Sequence, residues 1–445
     1  MANQATEQSA DALASDARQA PEADLLIHSA SQLLTLAGGP QRGSDLGRLG
    51  IIEDGAVAVS GGRIVAVGTS TELRRRLSAR QVIDAGNRVV LPGFVDPHTH
   101  VVWMGDRAAE FELRLKGASY QEIMSAGGGI ASTVRQTREA SVETLMASTR
   151  PRLARMLAHG TTTAEAKTGY GLEAEAEIKM LDAILRLDAE GPVELAPTFL
   201  GAHAVPPKFN GLASAYVELV CTRMLPAVRK HMRSTWRGHA LPFVDVFCEE
   251  GAFDLAQSRR ILETARRLGF QVKIHADEFT GLGGTALAVE LGAVSADHLV
   301  RTPPADVQAL GRSCTVAVAL PCTPFGLAEN EYTPAGDLLD AGAILALATD
   351  LNPGTAWCES MQFVIALACR ALKLTPAQAI AASTVNAAAA LGRHERIGSL
   401  EPGKQADLII LDAPDYRHLG YRFGTNLVSL VVKNGRVVHP IWPEG

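Results

Sequence analysis

The chain has 445 residues, of which 47% are hydrophobic and 20% charged, and its formal net charge is -6. This apolar fraction is large enough for an extensive core, which excludes a disordered or fibrous chain. The mildly acidic balance gives no electrostatic basis for binding nucleic acid or an anionic membrane, and no long uninterrupted apolar run predicts a transmembrane span. We therefore expect neither nucleic acid nor a membrane as partner.

The cysteines show neither CxxC pairs nor regular spacing; they are Cys221, Cys248, Cys314, Cys322, Cys358 and Cys369. Scattered thiols in a chain of this size are typical of a reducing compartment rather than of a disulfide framework. The N-terminus has no basic start followed by an apolar stretch, so it does not look like a secretory signal. The sequence thus predicts a cytoplasmic protein.

Residues 1–22 are rich in Ala, Gln, Ser and acidic residues, which predicts a flexible N-terminal extension. Residues 23–90 contain short apolar runs separated by Gly, Asp and Asn, typical of strands and turns, with a hairpin at Ser60–Gly62. The same texture returns at residues 404–445, where Asn434-Gly435 predicts another hairpin. We expect these two segments to combine into one small β-sandwich domain.

Residues 91–403 alternate strand-like runs with helical stretches, which is the signature of βα units around a parallel sheet. The predicted strands cover residues 89–100, 161–167, 193–203, 243–250, 271–278, 293–299, 315–321 and 344–350. Helices are predicted at residues 141–160 and 173–191, among others. These units predict an α/β fold, a (β/α)8 TIM-like barrel.

Chemically competent side chains stand at the C-terminal ends of five predicted strands, the end at which barrel enzymes place their active sites. They are His98 and His100, His203, His275 and Glu278, His298, and Asp350. Side chains at i and i+2 of a strand share a face, so His98 and His100 point together. One strand-end histidine is more often structural than a ligand, but their coincidence on separate strands favours a metal site.

Imidazole nitrogen and carboxylate oxygen are ligands that suit zinc or ferrous iron. Three histidines and one aspartate would hold one ion and leave a position for water, whose pKa the ion lowers toward ~7. A further histidine and a glutamate would then move protons. Glu278 should lie on the loop just past its strand, because it would otherwise face away from His275.

Other features leave alternatives open. The glycine-rich stretch Ser125–Thr133 lacks a following GK[ST], which favours a flexible active-site loop over a phosphate cradle. Arg107 follows the HxH strand and is suited to bind a carboxylate in a two-pronged way, although a surface role is equally compatible. Tyr170 and Asn352 lie on strand-end loops with the same two interpretations.

Over about residues 23–440 the chain resembles the amidohydrolase superfamily. The stretches that carry this resemblance are PGFVDPHTH, AGGGIASTV, HGTTTAEAKTGYGLE, GAHAVP, KIHADE, VSADHLV and ATDLNPGT. GGGI together with KTGYG and DLNPGT is similar to the members that hydrolyse 4-imidazolone-5-propanoate to N-formimidoyl-L-glutamate in histidine degradation. The resemblance implies opening of a ring C–N bond of the amide type by a metal-activated water, without release of ammonia.

The resemblance also assigns roles to individual residues. It implies one zinc or iron ion per subunit, held by His98, His100, His275 and Asp350. It places Glu278 and His298 at the proton-transfer positions, and we assign His298 to activating water and Glu278 to protonating the ring nitrogen. It implies that the substrate, with its propionate tail, is held by Arg107, Tyr170, His203, Glu278, Asn352, Gly354 and Thr355. His203 is suited to polarise a ring carbonyl, and a homodimer is implied.

Two departures from the pattern and two rival interpretations remain. Residues 1–22 have no counterpart, and Cys322 stands where glycine is expected after the seventh strand, which leaves the shape of that loop open. No carboxylated lysine that could bridge a second ion is evident at strand four, which favours one ion over two. A mononuclear deaminase of a nucleobase or related ring would use the same ligands and release ammonia, but would not require Arg107 and Tyr170. A barrel without catalysis would typically have lost ligands.

Overall fold

The computed structural model describes residues 22–117 and 128–440. In these ranges the strands are β1 (Glu22–Leu34), β2 (Ile51–Ser60), β3 (Arg63–Thr69), β4 (Ser78–Asp84), β5 (Val90–Pro92), β6 (Phe94–Asp96), β7 (Thr161–Lys167), β8 (Glu194–Ala202), β9 (Phe243–Cys248), β10 (Ile274–Ala276), β11 (Ser295–His298), β12 (Val316–Ala319), β13 (Leu345–Leu347), β14 (Leu408–Leu411), β15 (Val428–Lys433) and β16 (Arg436–His439).

The α-helices in the same ranges are α1 (Ser70–Arg76), α2 (Ala108–Leu115), α3 (Ile130–Glu139), α4 (Val142–Ala158), α5 (Ala174–Glu190), α6 (Ala213–Leu219), α7 (Leu225–Ser234), α8 (Leu255–Arg267), α9 (Gly284–Leu291), α10 (Pro304–Gly311), α11 (Cys322–Leu327), α12 (Ala335–Asp340), α13 (Met361–Ala371), α14 (Pro376–Ala382), α15 (Val385–Ala389) and α16 (His418–Tyr421). Short 3-10 turns lie at Gly43–Asp45 and Pro207–Phe209, and a π-turn at Val220–Met224.

Both ends of the chain contribute to one eight-stranded sheet in the order β16-β15-β14-β5-β1-β2-β3, with β4 pairing beside β1. Most pairs are antiparallel, but β1 is parallel to β4 and β5. The segment before β14 contacts the turn of the first hairpin, where the Ala406 N–H donates to the Gly62 carbonyl at 2.9 Å. The predicted small domain built from both chain ends is therefore present, while residues 1–21 lie outside the described part.

The second hairpin has the turn that its sequence predicts. Asn434 and Gly435 both have positive φ, 51° and 74°, which is the backbone of a type I′ turn and suits Asn-Gly. The predicted strand over residues 89–100 is two strands, since β5 belongs to the small sheet and β6 to the barrel. Gly93 lies between them, where a Cβ would overlap the side chain of Thr162.

The barrel is an eight-stranded parallel sheet in chain order from β6 to β13. Its first and last strands meet at their C-terminal ends, where the Asp350 N–H donates to the His98 carbonyl at 3.1 Å and the His100 N–H to the Leu351 carbonyl at 2.9 Å. The predicted (β/α)8 fold is confirmed. The closing hydrogen bonds also bring the HxH segment beside Asp350.

The helices between the barrel strands follow the sequence signals. At the start of α4 the Ser141 side chain accepts a hydrogen bond from the Thr144 N–H. The predicted helix over residues 173–191 is α5, which ends at Gly191 with φ 57°. Their apolar faces pack on the strands in one large core cluster that includes Leu153, Met156 and Leu181. In the described ranges, none of the helices is both long and apolar enough to cross a membrane.

Candidate active site and metal centre

The predicted site residues converge on one cavity of about 130 Å³ at the C-terminal end of the barrel strands. Its lining comprises His100, Arg107, Ile130, Tyr170, His203, Phe247, His275, Glu278, Phe279, His298, Asp350, Asn352, Gly354 and Thr355. His98 lies fully buried beside this cavity. A larger cavity of about 1060 Å³ lies between the small sheet and the barrel and is lined by none of the predicted residues.

Histidine and aspartate side chains from four barrel segments form a metal-binding cluster. The candidate ligand atoms of His98, His100 and Asp350 lie within 4.8 Å of one another, as do those of His98, His275 and His298. Oδ1 of Asp350 is 3.4 Å from Nε2 of His98 and 3.6 Å from Nε2 of His100. The Nε2 atoms of His98 and His275 are buried without a hydrogen-bond partner in the described residues. Such atoms are costly unless a ligand satisfies them, so the donor set fits a divalent cation.

Three imidazoles of this cluster, those of His98, His100 and His298, are in the form that binds metals. Burial, reinforced by neighbouring cationic groups, lowers the pKa of His98 and His100 well below the usual histidine value. Burial likewise lowers the pKa of His298. Neutral imidazole is the ligand form, because a protonated ring has no free lone pair.

Two carboxylates contact the Nδ1 atoms of His98 and His275, on the side of each ring away from the cavity. Nδ1 of His98 lies 2.7 Å from Oδ2 of Asp297, and Nδ1 of His275 lies 3.0 Å from Oδ2 of Asp245. A carboxylate accepts a proton donated by Nδ1, which leaves the Nε2 lone pair facing the cavity. The hydrogen bond to Asp297 therefore fixes the tautomer and the ring orientation of His98, whereas Asp245 contacts Nδ1 of His275 as an ion-pair neighbour without hydrogen-bond geometry.

Below these pairs the barrel interior contains two lysines among three carboxylates. Nζ of Lys167 is 2.7 Å from Asp245 and 2.8 Å from Glu165, and Nζ of Lys273 is 2.9 Å from Glu165. All of these side chains, and that of Asp297, are 0% exposed. Buried charges persist when they are paired and hydrogen-bonded, as here. This layer was not predicted from the sequence, although the charged Glu165 and Lys167 at alternate positions of the buried strand TTTAEAK are a signal for it.

Glu278 lies past the end of β10, on the loop where the sequence places it, and turns back into the cavity. Its Oε2 atom is 3.6 Å from Nε2 of His298. Glu249 fixes this loop by accepting the N–H groups of Phe279 at 2.9 Å and Thr280 at 3.2 Å. Burial first, and then the charges of Asp350 and Glu249, raise the pKa of Glu278 well above its usual value. Burial and these charges therefore favour the protonated form of Glu278.

Tyr170 and His203 form an aromatic wall next to the cluster. The His203 ring stacks on His100 with centroids 4.9 Å apart, and the Tyr170 ring centroid is 5.3 Å from that of His203. Burial lowers the pKa of His203 to about 3, and its Nδ1 pairs with the Gly169 carbonyl at 3.0 Å. A neutral ring that donates through Nδ1 has an acceptor at Nε2. His203 thus suits a ring N–H rather than the ring carbonyl expected from the sequence.

The loop after β13 is organised by Asn352. Its Oδ1 accepts the N–H groups of Gly354 at 2.7 Å and Thr355 at 2.8 Å, and its Nδ2 donates to the Asp350 carbonyl at 2.7 Å. The same aspartate accepts a hydrogen bond at Oδ2 from the Thr323 hydroxyl at 2.6 Å. The pocket loop and the candidate ligand Asp350 are therefore held as one unit.

The shape of the chain after the seventh barrel strand, left open by the sequence, is a short helix. Cys322 is its first residue and is buried, and Thr323 follows directly. This helix aims the Thr323 hydroxyl at Asp350, so cysteine in place of the expected glycine is compatible with an ordered segment.

Arg107 lines the cavity and is paired with Glu110, whose carboxylate both Nε and Nη2 of Arg107 contact. Residues 125–127 of the predicted glycine-rich loop lie outside the described residues. The expectation of a flexible loop is wrong for Ile130–Thr133, which form the first turn of α3, with Ile130 lining the cavity. The four apolar or hydroxylated residues after the glycines begin an amphipathic helix whose Thr133 and Val134 are buried.

Comparisons with known proteins place this geometry in a family. A sequence model described as the amidohydrolase family matches residues 89–438, and one described as an imidazolonepropionase-like composite domain of bacteria matches residues 55–77. The imidazolonepropionase of Herpetosiphon aurantiacus is 54% identical over 420 residues, covering 94% of this chain and 98% of that protein. That of Symbiobacterium thermophilum is 48% identical over 418 residues, covering 93% of this chain and 97% of its own.

Among solved structures, a triazine hydrolase variant superimposes with a TM-score of 0.71 at 17% identity, covering 93% of this chain and 94% of the other. A zinc-bound adenosine deaminase from Xanthomonas campestris gives a TM-score of 0.66 at 21% identity, covering 94% of this chain and 93% of the other. At these identities the likeness establishes the fold alone.

Proposed function

This chain belongs to the amidohydrolase family, and within it to the imidazolonepropionases, and from that premise we propose how its cavity hydrolyses 4-imidazolone-5-propanoate to N-formimidoyl-L-glutamate. The observation that carries the proposal is the presence, in one cavity, of the histidine–aspartate cluster and of Arg107. The cluster suits hydrolysis of a C–N bond, and a guanidinium suits the carboxylate tail of this substrate.

The metal site that we propose holds one zinc or iron ion per subunit through His98, His100, His275 and Asp350. Neutral imidazoles and a carboxylate suit either metal. When bound, such a cation supplies Lewis acidity, which lowers the pKa of water and polarises a carbonyl oxygen. Asp297 orients one of these histidines and Asp245 contacts a second, as their distances of 2.7 and 3.0 Å to the Nδ1 atoms support.

The proton transfers are assigned to His298 and Glu278. Ring opening adds the oxygen of water to the ring carbonyl carbon, breaks the carbon–nitrogen bond and delivers a proton to the departing ring nitrogen. His298 is neutral, so its ring can accept a proton from water, and the raised pKa of Glu278 favours the protonated form that can donate one to the nitrogen. Nε2 of His298 and Oε2 of Glu278 are 3.6 Å apart, so both groups face the same part of the cavity, and the proton returns from His298 to Glu278 through solvent after each cycle.

Substrate binding is assigned to the remaining wall of the cavity. Arg107 binds the propionate tail, and Tyr170 and His203 contact the ring. The part of the cavity that receives the tail is bounded by the loop with Asn352, Gly354 and Thr355. Glu278 contacts the ring nitrogen that it protonates. Burial raises the pKa of the Tyr170 phenol, so this side chain stays a neutral hydrogen-bond donor.

The activity is tested with purified, metal-replete protein and 4-imidazolone-5-propanoate. We expect the ultraviolet absorbance of the ring to disappear and N-formimidoyl-L-glutamate to accumulate without ammonia. Absence of turnover in the presence of metal would refute the assignment. Release of ammonia from a nucleobase or related ring, with no turnover of the imidazolone, would identify a deaminase instead.

Metal binding is tested separately with Asp350→Ala, because loss of an anionic ligand weakens cation binding without removing apolar core. We expect the variant to retain its circular dichroism spectrum and to contain little metal by elemental analysis. The same analysis of wild-type protein, expressed without metal supplements, decides between zinc and iron and gives the number of ions per subunit.

Two assignments concern the whole protein. We propose a homodimer, to be tested by sedimentation equilibrium, where a monomer would refute it. We propose a cytoplasmic location, since all six cysteines are free thiols, and cell fractionation tests it. The division into residues 1–22, residues 23–90 with 404–445, and residues 91–403 remains a proposal, which limited proteolysis would test by cleavage between these parts.

A further inference from the structure

Arg107 is assigned to the substrate tail, yet part of its guanidinium is already occupied. Its Nε donates to Oε2 of Glu110 at 2.9 Å, and its Nη2 contacts Oε1 of the same carboxylate. The Arg107 and Glu110 side chains are only 14% and 9% exposed. A guanidinium has five N–H groups in a plane, so a carboxylate on the Nε–Nη2 edge leaves the edge between the two Nη atoms for a second carboxylate.

The free edge of Arg107 lies against the pocket loop. A Cβ on residue 354 would overlap Nη1 of Arg107, so only glycine leaves room for the guanidinium at this place. Nη2 of Arg114, one helical turn after Glu110, donates to the Gly354 carbonyl at 2.8 Å and holds this part of the loop. Nη1 of Arg107 therefore lies close to Gly354, and both residues line the cavity.

Glu110 also contacts the glycine-rich segment. Its Oε2 accepts the N–H of Gly129 at 2.8 Å, and Gly129 immediately precedes α3, whose first residue, Ile130, lines the cavity. Gly129 has φ 69° and ψ -161°, a backbone conformation that favours glycine. Glu110 thus connects Arg107 to the start of α3.

We infer that Glu110 is a positioning residue for the tail of the substrate: it fixes the plane of the Arg107 guanidinium so that the opposite edge faces the incoming carboxylate. This inference deepens the proposed function and rests on it. Burial disfavours the charge of Glu110, but the hydrogen bonds from Arg107 and from Gly129 outweigh it and keep its pKa below the usual glutamate value. Glu110 is therefore an anion at neutral pH, as the pairing requires.

An ordinary surface ion pair between residues i and i+3 contributes little, because both side chains are solvated and mobile. The same segment offers an exposed pair between residues i and i+4 for comparison. Glu112 and Lys116 are also paired, but their side chains are 66% and 65% exposed and neither lines the cavity. The Arg107–Glu110 pair differs in its burial, in its two-pronged contact and in its third partner, Gly129.

The test compares Glu110→Gln with the matched control Glu112→Gln in metal-replete full-length protein. Glutamine keeps the size but replaces one acceptor oxygen with a donor and removes the charge. For Glu110→Gln we expect KM for the imidazolone to rise ~10-fold, with kcat within ~3-fold of wild type and metal content unchanged. For Glu112→Gln both constants should stay at wild-type values.

A second substrate separates positioning from general damage. With the carboxamide analogue of the tail, wild type should show a raised KM, and Glu110→Gln should raise it no further, because no carboxylate needs the aligned edge. An equal loss on both substrates, a fall in kcat at constant KM, or kinetics identical to Glu112→Gln would overturn the inference.

Two controls keep the outcomes distinct. If Glu110→Gln does not fold, Glu110→Asp keeps the charge but withdraws the carboxylate by one methylene; it should raise KM for the carboxylate substrate only, and unchanged kinetics would overturn the inference. If wild-type protein does not hydrolyse the imidazolone, the proposed function fails. Turnover by wild type with no effect at Glu110 would remove the positioning role alone.

Discussion

The carboxylate of Asp96 accepts two hydrogen bonds from Thr349, one at Oδ1 from the backbone N–H at 3.1 Å and one at Oδ2 from the hydroxyl at 2.6 Å. Asp96 is the last residue of β6, and Thr349 precedes Asp350. Both side chains are 0% exposed. Burial, the largest influence, raises the pKa of Asp96 from 3.8 to about 7 despite these hydrogen bonds.

A raised pKa makes the stability of the metal-free protein depend on pH through this residue. Below about pH 4, Asp96 is protonated in both the folded and the unfolded chain, so its burial does not lower the free energy of unfolding through ionisation. As pH rises from about 4 to 7, the unfolded chain releases the proton and the folded chain does not, so stability falls by about 4 kcal/mol at most. Asp96→Asn does not titrate, so its stability relative to wild type should rise across this window and level off above it.

Urea denaturation of metal-free wild type and Asp96→Asn at a series of pH values measures this difference directly. Asp340→Asn, at an exposed position at the end of α12, is the control and should track wild type. A difference between Asp96→Asn and wild type that does not change between pH 4 and 7 would contradict the raised pKa.

Asp297→Asn should weaken metal binding rather than unfold the barrel. Asparagine is nearly the same size but is a poorer acceptor for Nδ1 of His98, so the ring is no longer held with Nε2 free. Removing such a supporting carboxylate typically costs ~10- to 100-fold in metal affinity. Competition with a chromophoric chelator measures it, again with Asp340→Asn as control. Wild-type affinity in Asp297→Asn would mean that His98 is not a ligand or does not need this carboxylate.

Glu278→Gln should remove the proton donor and leave the metal in place. We expect kcat to fall ~10²- to 10⁴-fold, the usual range for loss of a general acid or base. Because burial raises the pKa of Glu278 and favours its proton-donating form, wild-type kcat should decline on the alkaline side, and the variant should lose that decline. A reduction below ~10-fold with an unaltered pH profile would assign the proton transfer elsewhere.

Arg107→Ala should act mainly on KM, since it removes ground-state binding of the tail. Hydrogen bonds to charged groups contribute about 1.5–3 kcal/mol, which corresponds to a rise in KM of ~10- to 150-fold. Steady-state kinetics on the imidazolone measure it. If KM stays constant while only kcat falls, Arg107 does not bind the tail.

The architecture was readable from the sequence because hydrophobic runs bounded by Gly, Pro and Asn give strands, and their alternation with helices gives a parallel barrel. The histidine–aspartate cluster could also be predicted from the sequence. Its members, His98, His100, His275 and Asp350, stand at strand ends, and the C-terminal ends of barrel strands surround one site. The sequence misplaced the first turn of α3, because three consecutive glycines obscure the start of an amphipathic helix.

The residues that contact the candidate ligands and Arg107 from behind were harder to predict from the sequence. Asp297 adjoins His298 in the sequence but contacts His98, and Asp245 supports His275 from the neighbouring strand. Such pairs depend on the register between strands, which single-sequence patterns do not contain. Glu110 was missed for another reason: its partner Arg107 had two equally acceptable interpretations, and a glutamate three residues along a helix is usually a solvated ion pair.

The meeting of β6 and β13 has a consequence for how the molecule holds together. His98 and Asp350 are joined there by a backbone hydrogen bond, although most of the barrel lies between them in the chain. A cation shared by their side chains is a cross-link over that long loop, and ligation favours the closed ring over any form with an opened edge. Metal binding and resistance to strand separation at this junction are therefore thermodynamically linked. We expect the metal-free protein to open first between β6 and β13.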